Sequence, residues 1–122
     1  MRLVPGLTII VAGRDAERFH AALSLAAANA ALGKRSRLFL QGEAAALLRS
    51  GPAPLDAARS ANGVPTIADL LAEAVALGVE VIACQSGLAL AGLSAEELPD
   101  HVTTSGLVAL LSTRDDDELM MA

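Results

Sequence analysis

The chain has 122 residues, enough for one domain around one core. Its formal net charge of −5 and sequence pI near 4.8 argue against nucleic-acid binding, which needs a basic face. The apolar fraction is 53%, roughly one residue in five is alanine, and there is no Trp or Tyr and only two Phe. The core must therefore be built from Leu, Ile, Val and Ala. Mean hydropathy of +0.50 is high for a small domain, so a self-associating subunit is expected. The N-terminal apolar stretch, Leu7 to Ala12, is too short for a transmembrane helix and lacks the layout of a signal peptide. A single cysteine cannot form an internal disulfide. Cytoplasmic location is the expectation.

In chain order, Leu7–Gly13 reads as a central parallel strand buried on both faces. Asp15 caps a helix predicted from about Ala16 to Leu32, with Phe19, Leu23, Ala26, Ala27 and Ala30 on one face and Gly33 as its stop. Lys34, Arg35 and Arg37 form the one basic cluster, read as solvated charge. Arg37–Gln41 is a second strand, and Gly42–Ser50 a short helix. Gly51–Pro65 contains three prolines and two glycines and reads as a long loop.

Thr66, with Asp69 three residues on, caps a helix whose buried stripe is Ile67, Leu70, Leu71 and Ala74. Gly78 ends it, and Val79–Cys84 is the third strand. Gln85-Ser86-Gly87 reads as a turn. Leu88–Leu93 has no polar side chain and reads as a short helix needing cover on every side, part of it from another subunit. Ser94 and Glu97 form a capping box, and Pro99 ends the short helix they start. His101–Thr104 is a fourth strand, Ser105-Gly106 a turn, and Leu107–Leu111 the start of a helix. Asp115-Asp116-Asp117-Glu118 reads as a solvated turn or tail, and Leu119-Met120-Met121 as an edge strand or a loose tail. The alternation of strands and helices implies a single α/β domain: three layers, with a mostly parallel sheet of four or five strands between helices, as in flavodoxin-like folds.

Cys84 is the candidate for chemistry. Ligands of open parallel sheets bind beyond the carboxyl ends of the strands, and a thiol there, beside backbone N–H groups, is a candidate nucleophile. The alternative is a small buried side chain finishing a strand. Gly13-Arg14, Gln85-Ser86-Gly87 and Ser105-Gly106 are expected to converge on the same sheet edge, with Arg14 as the local cation favouring a thiolate. The turn after the first strand holds one glycine, Gly13, so the dinucleotide fingerprint is missing, and no Gly-Lys-Ser/Thr phosphate loop is present. His20 and His101 have no metal-ligand spacing with Cys84. His101 starts a strand while Cys84 ends one, which separates them across the sheet. No cofactor and no metal are expected.

These stretches resemble the DsrE/DsrF-like, sulfurtransferase-type family. The resemblance rests on Leu7–Gly13 with the alanine-rich helix to Gly33, and on Arg37–Gln41 followed by Gly42-Glu43. It rests equally on Ile67–Gly78 leading into Val79–Gly87 and Gly92-Leu93, and on Thr104–Leu107 with Leu110-Leu111. It implies a parallel sheet flanked by helices and a trimer, tetramer or hexamer of a cytoplasmic sulfur-relay protein. It also implies that Cys84 carries sulfane sulfur as a persulfide and passes it to a partner thiol, between donor and acceptor proteins. Gly13, Arg14, Gln85, Ser86, Gly87, Ser105 and Gly106 are the expected surroundings of that sulfur. Two alternatives stand beside it: a non-catalytic oligomeric module that binds a small ligand or a partner's tail, and a redox sensor working through Cys84 oxidation.

Overall fold

The computed structural model describes residues 5–122. Five strands, β1 (Leu7–Ala12), β2 (Ser36–Gln41), β3 (Glu80–Cys84), β4 (Thr103–Ser105) and β5 (Glu118–Met121), form one sheet in the order β4-β3-β2-β1-β5. Every pairing is parallel. The helices are α1 (Ala16–Ala31), α2 (Asp56–Ala61), α3 (Ile67–Ala76), α4 (Gln85–Ala91) and α5 (Leu107–Ser112). Gly42–Leu48 and Ala95–Glu97 are 3-10 helices.

Side chains alternate across a strand, so the sheet has two unlike faces. Leu7, Ile9, Val11, Leu38, Leu40, Val81 and Ala83 pack under α1, α3, α4 and the 42–48 helix in the main core. Ile10, Phe39, Ile82 and Cys84 point to the other face, where they meet Leu110 of α5. Among the described residues, the six-residue α5 is the helix packed on the face that carries the cysteine.

The local signals act as read. The Asp15 carboxylate accepts the N–H groups of Glu17 at 2.9 Å and Arg18 at 3.3 Å. Thr66 Oγ1 accepts from Asp69 N at 3.2 Å. Ser94 and Glu97 close a reciprocal capping box.

Several expectations need correction. The fourth strand is Thr103–Ser105, not His101–Thr104: His101 has a positive φ of 68°, which takes it out of the extended chain. Gln85-Ser86-Gly87 is the first turn of α4 rather than a separate turn. The 51–65 segment contains a helix, α2. Asp56 holds it by accepting the N–H groups of Ala53 at 2.8 Å and Ile67 at 3.3 Å. Arg59, buried, ties it to α1 through Glu17.

The charged clusters differ most from the sequence reading. Arg37 and Asp117 are buried, not solvated. Asp117 lies 3.6 Å from Arg37 Nε and accepts the Thr8 hydroxyl at 3.0 Å. Arg37 donates to Thr8 Oγ1, to Thr113 Oγ1 at 2.8 Å and to the Leu110 carbonyl at 3.2 Å, which satisfies the C-terminal end of α5. Gly6 is required here, because a Cβ would strike Asp117 Oδ1. The cluster docks the chain after α5, so 118–121 is an edge strand on β1 and not a loose tail.

Candidate functional site

Cys84 is the last residue of β3 and the N-cap of α4. Its extended backbone turns into the helix at once, so Sγ bends back over the helix start and accepts the Gly87 N–H at 3.4 Å. Ser86 Oγ lies 3.2 Å from the sulfur. Gly42, at the end of the neighbouring strand β2, contributes its N–H as well. Cys84 is 5% exposed. Burial pushes the thiol up, as expected for a group that loses water. The Ser86 hydroxyl and the N–H groups of Gly42, Gly87 and Ser86 outweigh that effect and hold the thiol below its ordinary value. Among the described residues, charge on this sulfur is stabilised by hydrogen bonds rather than by a cation.

The expected surroundings divide into two groups. Ser86 and Gly87 touch the sulfur. Ser105 pairs with Cys84 in the sheet register, and Gly106 follows it as the N-cap of α5. Gln85 opens α4 beside the cysteine with its side chain exposed. Gly13 and Arg14 follow β1, which β2 separates from β3, and the exposed Arg14 guanidinium is not among the groups acting on the thiol. Gly42 is the residue that sequence reasoning missed. A glycine directly after the strand next to the cysteine strand is the signal that points to it, and in the structure it takes a positive φ of 55°.

A groove of about 840 Å³ lies elsewhere. Phe19, Leu48, Ile67, Leu71, Val75 and Leu98 line it on the α1–α3 face, with Arg49 and His101 at its rim. None of the expected site residues borders it. His101 is among the residues lining this groove. Among the described residues no group of three or more His, Cys, Asp or Glu side chains is placed to hold a metal ion, and no helix is long and apolar enough to cross a membrane.

A family comparison agrees with this fold. The model of the DsrE/DsrF-like family matches residues 7–116. The chain belongs to this family. Two solved structures share the DsrE/DsrF-like fold over the full chain. YchN from E. coli superposes with a TM-score of 0.73 at 21% identity, covering 98% of this chain and 100% of that one. MTH1491 from Methanobacterium thermoautotrophicum, described as a protein of unknown function, gives 0.71 at 16% identity, with the same 98% and 100% coverage. Among curated protein sequences none matches significantly. The family membership is consistent with sulfur relay, and the fold is that of its solved members.

Proposed function

We propose that this protein is a sulfur carrier that holds sulfane sulfur as a persulfide on Cys84. The observation that carries the reading is the set of hydrogen bonds on one sulfur: Ser86 Oγ and the N–H groups of Gly42 and Gly87 favour the thiolate, which is the nucleophile. The Cys84 thiolate attacks the outer sulfur of a donor persulfide R–S–SH. The new S–S bond forms as the old one breaks, giving Cys84–S–SH and R–S⁻ with no net oxidation. An acceptor thiolate then attacks the same outer sulfur, and Cys84 leaves as thiolate. Near-complete burial shields the persulfide from water and oxidants between the two steps.

Self-association is part of the reading. Leu107, Val108 and Leu111 of α5 are exposed, as are Leu119, Met120 and Met121 on the edge strand β5. Leu119 and Met121, which pair with Thr8 and Ile10, lie with the α5 side chains on the thinly covered face that carries Cys84 and suit burial against a second copy. A reducing cytoplasm fits a carrier whose one cysteine must return to the thiolate. The groove of about 840 Å³ on the opposite face favours a second reading, a small-ligand module, because its size and apolar lining fall within the range of small-molecule sites.

The test is transfer. Protein loaded with sulfur is mixed with a small-molecule thiol, and its mass and the new persulfide are followed together. The sulfur-carrier reading expects loss of one sulfur from the protein to match gain by the thiol, with none in Cys84→Ser. A protein that never donates its sulfur favours the second reading.

A further inference from the structure

Gln41 closes β2 on the same face of the sheet as Cys84. The register pairs Leu40 with Ala83, and one further step sets Gln41 beside Cys84, with both side chains on the α5 side. Neighbouring strands are about 4.8 Å apart, which makes the two residues cross-strand neighbours on that face. Gln41 Oε1 is buried and has no hydrogen-bond partner among the described residues. A buried amide oxygen without a protein partner is destabilising, so such a group calls for a further partner, an ordered water or a bound group.

We propose that the Gln41 carboxamide is the docking group for the outer sulfur of a persulfide on Cys84, an inference that rests on the sulfur-carrier reading. Adding one sulfur lengthens the side chain by an S–S bond of about 2.05 Å. The inner sulfur keeps the N–H groups of Gly42 and Gly87, and the outer sulfur passes beyond them. Ile10, Phe39, Ile82 and Leu110 pack around Cys84 and offer it no hydrogen bond. The amide has an acceptor at one end and two donors at the other, and it turns about its last torsion. It accepts from Cys84–S–SH and donates to Cys84–S–S⁻. Gln41 makes and breaks no covalent bond, so its role is to bind and retain the transferred atom.

Full-length wild type, Gln41→Met and Gln41→Glu are compared in three measurements. These are thermal melting of the unloaded protein, alkylation of unloaded Cys84 against pH, and the lifetime of the persulfide after loading with sodium polysulfide, read by intact mass under a fixed reductant. Gln41→Met removes the unpartnered oxygen, so it melts at or above wild type. Its alkylation profile matches wild type, because Gln41 is not among the groups acting on the thiol. Its persulfide decays about tenfold faster, the scale of one lost hydrogen bond. Gln41→Glu places a negative charge at the outer sulfur and holds it least. Equal lifetimes in wild type and Gln41→Met overturn the inference, and so does a Gln41→Met that melts well below wild type with a changed alkylation profile. If Gln41→Met does not fold, Gln41→Asn withdraws the amide by one methylene, and a wild-type lifetime in that variant overturns the inference equally. Wild type that takes up no sulfur, where a known carrier does, overturns the sulfur-carrier reading itself and this inference with it.

Discussion

Gly87 of α4 lies directly against Gly42 at the end of β2. A Cβ at position 87 would strike the Gly42 carbonyl oxygen and sit 2.9 Å from its carbon and 3.1 Å from the Ala45 Cβ. The same two glycines give their N–H groups to Cys84 Sγ. The missing side chain lets α4 approach the 42–48 helix, and that approach assembles the donors around the sulfur.

Gly87→Ala tests this packing. Alanine gains about 1 kcal/mol of helix propensity, while overpacking costs about 1–3 kcal/mol. The contact is with backbone, which cannot swing aside, so the clash wins. The urea midpoint is expected to fall, and Cys84 alkylation at neutral pH is expected to slow as the donors move apart. A midpoint equal to or above wild type would show that the two glycines do not constrain each other.

Ser86→Ala removes one donor from the thiolate and leaves the fold. The alkylation–pH profile of Cys84 is expected to move to higher pH, because burial then acts against fewer hydrogen bonds. The same thiol links stability to pH. Its folded value is depressed, so the folded state binds fewer protons than the unfolded state between the two titrations. Stability from this group is therefore present in full above the ordinary thiol value, about 8.5, and is lost as pH falls through the lower folded value. Denaturant titrations across that window are expected to show wild type gaining stability with rising pH relative to Cys84→Ser. Parallel curves would mean the hydrogen bonds do not favour the thiolate.

Asp117→Ala leaves Arg37 buried beside Arg35 with its nearest carboxylate gone. Removing one partner of a buried ion pair costs about 3–5 kcal/mol. Because Arg37 also holds the carbonyl end of α5, the loss is expected to loosen α5 and β5 first. Hydrogen exchange is expected to rise in residues 107–121 before it rises in β2 and β3. Uniform loss of protection would contradict a local docking role.

Val108 is 85% exposed on α5. If this face is covered by a second copy, Val108→Glu places charge in the contact and shifts the protein toward monomer at unchanged far-ultraviolet circular dichroism. Light scattering behind size exclusion reads the mass of both proteins. A wild type that is already monomeric contradicts the proposed assembly.

Much of this architecture is legible in the sequence. Both central strands, the long α1 and the caps at Asp15, Thr66 and Ser94 show as local patterns, and the place of Cys84 follows from a β-branched run ending in glycine. What is not legible depends on contacts between distant residues. Gly87 reads as a turn former, yet it serves a close approach to Gly42 within a helix. The prolines and glycines of 51–65 conceal α2, which Asp56 and Arg59 hold by tertiary bonds. Arg37 and Asp117 read as surface charge because neither sequence neighbourhood contains the other. Arg14 is expected beside the thiol because its strand ends at the same sheet edge, but the order of strands puts β2 between them.

The most direct measurement is intact mass after incubation with a persulfide donor, with the modified peptide mapped and Cys84→Ser run alongside. The account predicts a gain of one sulfur atom on the peptide that contains Cys84, reversed by reductant and absent from the variant. No gain under conditions that load a known persulfide carrier would contradict it and turn attention to the groove on the opposite face.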